Sequence, residues 1–124
     1  MVDQAGNLLI ADDNKVNRLL MSRSVELLGH KASVAENGKI ALQMLADQTF
    51  DALLLDIEMP RMDGFELASH MKNEQRLSGI PIIMITSRTG SKHREHAMQL
   101  GVDQYMGKPY QEEELISNIS QLVG

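Results

Sequence analysis

The sequence predicts an α/β domain: a doubly wound parallel sheet with helices on both faces. Three observations carry that expectation. A short apolar run followed by an amphipathic helical pattern recurs five times along the chain. The runs are apolar throughout rather than alternating, as in parallel strands covered on both sides. The length, 124 residues with 43% hydrophobic content, suits one domain spanning 1–124 with a core of its own.

The first strand is expected at Leu8 to Ala11, ending in Asp12-Asp13. A helix follows from about Val16 to Leu28, with Val16, Leu19, Leu20, Leu27 and Leu28 on its inward stripe and Gly29 closing it. Ala32 to Ala35 is a weak run and reads as an edge strand, and Gly38 opens a helix carrying Ile40, Ala41, Met44 and Leu45. The third strand, Ala52 to Leu55, ends at Asp56. Met59-Pro60 breaks the pattern, and Met62-Asp63-Gly64 turns into a helix with Leu67, Ala68 and Met71. The fourth strand runs from Ile80 to Ile85 and exits through Thr86-Ser87 into a helix over Lys92 to Leu100 that Gly101 ends. A fifth strand at Asp103 to Met106 stops at Gly107-Lys108-Pro109. The last helix, Gln111 to Leu122, turns Leu115, Ile116, Ile119, Leu122 and Val123 inward.

Composition excludes several functions. With no cysteine there is no disulfide, thiol nucleophile or Cys-ligated metal, and the chain fits a reducing, cytoplasmic compartment. No apolar run approaches the roughly 18 residues of a membrane span, and Met1 to Asn14 lacks the layout of a signal peptide. A net charge of −5 and 3% aromatic residues argue against direct nucleic-acid binding, which needs a basic face or stacking platforms.

Open parallel sheets bind ligands outside the carboxyl ends of their strands, near the point where strand order reverses. There the sequence places Asp12, Asp13 and Asp56, the Thr86 hydroxyl and the Lys108 ammonium. Any one of these alone reads as a turn former, a helix cap or a surface turn. All of them at one edge of one sheet is much harder to reach by chance. Clustered carboxylates repel one another unless a cation sits among them. Hard oxygen ligands without nearby His or Cys select magnesium or manganese over zinc. Such a site suits phosphoryl chemistry, because a carboxylate can attack phosphorus and form an acyl phosphate.

These residues carry a family resemblance. Asp12-Asp13, "LLLDIEMPRMDGFEL" (Leu53 to Leu67), "IPIIMITS" (Ile80 to Ser87) and "YMGKPY" (Tyr105 to Tyr110) resemble the receiver domain of bacterial two-component response regulators, the chemotaxis-regulator-like family. The match runs from Leu8 to about Val123. It implies a (βα)5 flavodoxin-like fold with strand order 2-1-3-4-5. It implies Asp56 as phosphoacceptor, taking a phosphoryl group from a phosphohistidine on a histidine kinase or histidine phosphotransfer domain, and acting as a self-modifying switch rather than an enzyme. Asp13 would bind Mg2+ (or Mn2+) directly and Asp12 through water, with Asp56 and the Glu58 carbonyl completing the set. Lys108 would pair with the phosphoryl group, Thr86 would move toward it, and Tyr105 would turn inward behind Thr86. The Lys108–Pro109 bond would be cis, and Gly107 is the one mild departure, where the family often has a hydroxyl or bulkier residue. The switch would work on a partner protein or fused output domain, or on a phosphorylation-dependent dimer, through the fourth helix, fifth strand and fifth helix. Arg88, Lys92, His93 and Arg94 make that face basic beside the acidic Glu112, Glu113 and Glu114.

Other patterns are weaker. Gly101 to Lys108 fails as a phosphate loop, having one residue too many and Pro109 at its end. Asp56-Ile57-Glu58 lacks the second Asp of dehalogenase-type phosphatases. His93 with His96, and Glu66 with His70, read as solvated faces, and the nine methionines as packing. Glu58 and Arg88 flank the path of attacking water and are candidates for slowing dephosphorylation. The alternative from another class is a receiver fold kept as a phosphorylation-independent scaffold, which magnesium titration would discriminate. Thr86 to Leu115 resembles receivers at the end of hybrid kinases, and Asp12 to His30 those attached to other outputs, including nucleotide cyclases.

Overall fold

The computed structural model describes residues 5–123, so the 1–124 domain reading and the first residues of the leader reading extend outside the described residues. The elements alternate without exception: β1 (Asn7–Ala11), α1 (Lys15–Leu27), β2 (Lys31–Ala35), α2 (Gly38–Asp47), β3 (Ala52–Leu55), α3 (Gly64–Lys72), β4 (Ile82–Thr86), α4 (Ser91–Gln99), β5 (Gln104–Gly107) and α5 (Glu112–Val123). Every expected element is present. The largest boundary shift is at β4, which starts two residues late because Pro81 has no N–H for the ladder and lies just outside it.

All four pairings are parallel, and the order is β2-β1-β3-β4-β5, with β2 at an edge. Alternate side chains of the buried strands feed two cores. Leu9, Ala11, Leu53, Leu55 and Met84 pack with Ala41 and Leu45 of α2, Leu67 and Met71 of α3, and Ala97 of α4. Leu8, Ile10, Leu54, Ile83 and Ile85 pack on the other face with Met21 and Val25 of α1 and Leu115 and Ile119 of α5. Each Leu, Ile, Val or Met among them, removed wholly from water, contributes about 1.5–3 kcal/mol.

Helix starts are set by short polar side chains. Asn14, Asn37 and Asp63 accept the N–H groups of Asn17, Ile40 and Glu66 at 3.0, 2.9 and 2.8 Å. Gly29 and Gly101 follow α1 and α4 at φ 91°, a conformation open to glycine.

One expectation fails. The inward stripe of α1 is Met21, Ser24 and Val25, while Val16, Leu19, Leu20 and Leu27 are 53–62% exposed and Leu28 is only partly buried. At 100° per residue the two apolar sets lie about a third of a turn apart, and the sheet takes the smaller one. Methionine is a second partial miss, since Met98 is exposed while Met21, Met71, Met84 and Met106 are buried.

Candidate functional site

The order reverses at β1, whose chain neighbour β2 lies on one side and whose sheet neighbour β3 lies on the other. The crevice beyond the carboxyl ends of β1 and β3 is therefore where the acids meet. Asp12 and Asp56 are placed by continuing the ladder: their N–H groups donate to the carbonyls of Ala35 and Ala11 at 3.2 and 2.9 Å. Lys108 is delivered by β5, where Thr86 pairs with Gly107 and the Lys108 N–H donates to the Thr86 carbonyl at 2.8 Å.

One carboxylate oxygen from each of Asp12, Asp13 and Asp56 lies within 4.8 Å of the others. Asp12 and Asp56 are buried and Asp13 is exposed. Lys108 Nζ stands 2.7 Å from Asp12 and 3.5 Å from Asp56. The ammonium thus pairs with two of the three clustered carboxylates, and this hard-oxygen set with its excess negative charge fits a divalent cation such as magnesium. Asp12 also has the turn-forming role of an isolated strand-end Asp: its Oδ1 accepts the Asn14 N–H at 2.9 Å. Arg18 donates to its backbone carbonyl at 2.8 Å, a contact that no motif signals.

Asp56 is perturbed. Burial pushes its carboxyl above the ordinary value of 3.8, Lys108 opposes that, Asp12 adds to it, and hydrogen bonds from the Glu58 N–H and the Thr86 hydroxyl oppose it. Thr86 is fully buried behind the carboxylate, and its Oγ1 accepts the Arg88 N–H at 3.2 Å. Tyr105 is half-buried and its hydroxyl donates to the Arg88 carbonyl, tying β5 to the β4–α4 loop. Burial raises the phenol's pKa, with Arg88 and Arg94 opposing.

The mouth of the crevice is a cleft of about 400 Å³ lined by Asp13, Ile57, Glu58, Met59, Asp63 and Arg88. Glu58 and Arg88, singled out only for their places along the chain, are joined: Arg88 Nε meets Glu58 Oε1 at 3.1 Å, and the Ser87 hydroxyl donates to the same oxygen at 3.3 Å. A separate groove of about 460 Å³ runs between α1 and the β5–α5 loop, lined by Asn17, Leu20, Ser24, Lys108, Pro109, Tyr110 and Glu112. The Lys108–Pro109 bond is cis. His93 and His96 lie apart from the acids and stack on Phe65 of α3, with ring centroids 6.4 and 4.3 Å away.

The sheet order, the acid cluster and the lysine define the receiver class. The family model "Response regulator receiver domain" matches residues 8–120, and the chain belongs to that family. It is a receiver domain of two-component systems. Over 116 residues, 94% of this chain, it is 36% identical to the sensor protein EvgS of Escherichia coli K12 and 33% identical to the response regulator MprA of Mycobacterium ulcerans. It spans only 10% of the former and 49% of the latter. The fold matches Vibrio cholerae chemotaxis protein CheY4 at TM-score 0.90 and 24% identity, covering 97% of this chain and 100% of that one. The receiver domain of the Pseudomonas aeruginosa sensor histidine kinase PA1611, solved with magnesium coordinated in its active-site cleft, matches at TM-score 0.88 and 26% identity, covering 98% and 99%. Among the described residues no helix is long and apolar enough to cross a membrane.

Proposed function

We propose that this chain, over its whole length 1–124, is a cytoplasmic phosphorylation switch whose acceptor is Asp56. The observation that carries the reading is the meeting of the buried Asp56 with Asp12, Asp13 and Lys108 at one sheet edge. An Asp56 carboxylate oxygen attacks the phosphorus of a phosphohistidine on a histidine kinase or phosphotransfer domain. The P–N bond breaks, its electron pair stays on the imidazole nitrogen, and an acyl phosphate forms. Asp13, Asp56 and the Glu58 carbonyl would hold Mg2+ directly and Asp12 through water, and the bound cation would offset charge on the phosphoryl oxygens. Lys108, now shared between Asp12 and Asp56, turns to the phosphoryl group, and Thr86 hydrogen-bonds one of its oxygens.

Thr86 and Tyr105 both bond to Arg88, so a movement of Thr86 reaches the β4–α4 loop and through it the α4–β5–α5 face. That face would address the output domain, partner protein or second copy. The phosphodonor would dock on α1, where Leu20 lines the groove that Lys108 shares and Leu19 beside it in the chain is also exposed, since contiguous exposed apolar side chains mark interaction sites. Release of the signal is hydrolysis: water attacks phosphorus, the acyl O–P bond breaks, and Asp56 returns as carboxylate. Glu58 and Arg88, clasped across the mouth, would restrict that water.

The test is labelling by a radioactive phosphodonor with magnesium. The wild-type chain is expected to take up label that is lost with chelator and with Asp56→Asn. Full labelling of Asp56→Asn would refute the assignment.

A further inference from the structure

The β3–α3 loop, residues 57–63, follows Asp56 directly and carries Glu58, which lines the mouth of the crevice beside Asp13. Two glycines grip this loop. At Gly64 an added Cβ would stand 2.3 Å from the Asp56 carbonyl oxygen. At Gly38, the first residue of α2, it would stand 2.3 Å from the Met62 carbonyl oxygen and 2.9 Å from Met62 Cβ. The carbonyl oxygen in each case belongs to the backbone, so no side-chain rotation relieves the clash.

Between the two grips the loop is tightly folded. The Met59 N–H donates to the Ile57 carbonyl at 3.1 Å, Met62 to Pro60 at 2.8 Å, and Gly64 to Ile57 at 2.9 Å. Arg61 sits at φ 73°, costly for a side chain and sustained only where the surroundings over-determine it. The first turn of α2 is that surrounding. It is anchored by Asn37, which is 7% exposed and accepts the Ile40 N–H at 2.9 Å.

We propose that Gly38, outside the acid cluster, is a positioning residue for the metal and the phosphoacceptor: by letting α2 abut the Met62 carbonyl, it fixes the loop that presents Glu58 to Asp56 and to the cation. The inference rests on the Asp56 reading above and deepens it. A methyl at position 38 would displace the loop by roughly 1 Å, the gap between the 2.3 Å approach and van der Waals contact, and such shifts disturb a site well beyond the residue changed.

Mn2+ alone, titrated by electron paramagnetic resonance onto the whole chain, is the probe. Wild type is expected to bind and Asp13→Asn to lose binding; a wild type that binds no Mn2+ would overturn the site reading and this inference with it. Gly38→Ala is expected to bind about 10-fold more weakly, the range seen when groups supporting metal ligands are lost, and to shift the metal-free amide resonances of residues 56–62. Gly38→Ala/Arg61→Gly, with a loop free to yield, should recover most of the affinity. Ile119→Val, which loosens the core on the opposite face of the sheet, should keep wild-type affinity. A folded Gly38→Ala with wild-type affinity would overturn the proposal. Should that variant not fold, Asn37→Ala, which removes only the cap, is expected to weaken Mn2+ about two- to threefold; wild-type affinity there overturns it equally.

Discussion

Replacing Lys108 with methionine keeps the length of the stem and removes only the charge. The ammonium lies 2.7 Å from Asp12 and 3.5 Å from Asp56, and the three side chains are 17%, 0% and 7% exposed. At an effective dielectric of 20 the gross attractions are about 6 and about 5 kcal/mol, most of which offsets the cost of desolvating the charges. What the variant loses is the difference between a paired and an unpaired buried carboxylate, about 3–5 kcal/mol. In urea without divalent cation, that lowers the midpoint by about 2 M for a chain of this size. Magnesium at about 100 times its Kd adds about 2.7 kcal/mol to any chain that binds it. Without its ammonium the cluster should bind the cation more tightly than wild type does, so at one magnesium concentration the gap between the two chains should narrow. Lowering the pH should also narrow the deficit, since a protonated Asp56 no longer needs a cation. A loss below about 1 kcal/mol, or one that magnesium leaves untouched, would refute the view of Lys108 as a stand-in cation.

Four further outcomes are expected. Burial, outweighing Lys108, raises the Asp56 pKa above 3.8, so the folded state holds this proton at pH values where the unfolded chain has lost it. Stability therefore falls as pH rises through that window, and Asp56→Asn should melt above wild type at pH 7 by a margin that closes toward pH 4 in calorimetric scans. Arg61→Gly relieves a left-handed residue and should gain about 0.5–1 kcal/mol in urea titration. Leu20→Ser, at a side chain 53% exposed, should change stability by no more than about 0.5 kcal/mol while slowing phosphotransfer from a phosphohistidine donor in rapid-quench measurements. Glu58→Ala and Arg88→Ala should each shorten the acyl-phosphate lifetime, followed as loss of label; unchanged lifetimes would remove the clasp from the account.

The central strands were legible because parallel strands buried on both faces leave unbroken apolar runs, and their ends name the site: Asp12, Asp56 and Thr86 each follow or close such a run, while Lys108 follows the more polar edge strand β5. The α1 face was not legible, because Met21 and Val25 compete with a larger apolar set and only the position of the sheet decides between them. Glu58 and Arg88 could be placed at the mouth from their spacing after Asp56 and Thr86. Their mutual bond depends on how two loops approach, which spacing does not encode. The grip on the β3–α3 loop was equally hidden. Gly38 and Gly64 read as helix starts, and nothing in a linear pattern shows which carbonyl comes within reach of an absent Cβ.

The claim on which the rest depends is that Asp56 carries the phosphoryl group. Tritiated borohydride reduces an acyl phosphate to the alcohol, converting the acceptor aspartate to labelled homoserine at its own position. After phosphorylation in magnesium and digestion, the account predicts label in the peptide at position 56. Label at Asp12 or Asp13, or a chain that labels at no aspartate, would contradict it.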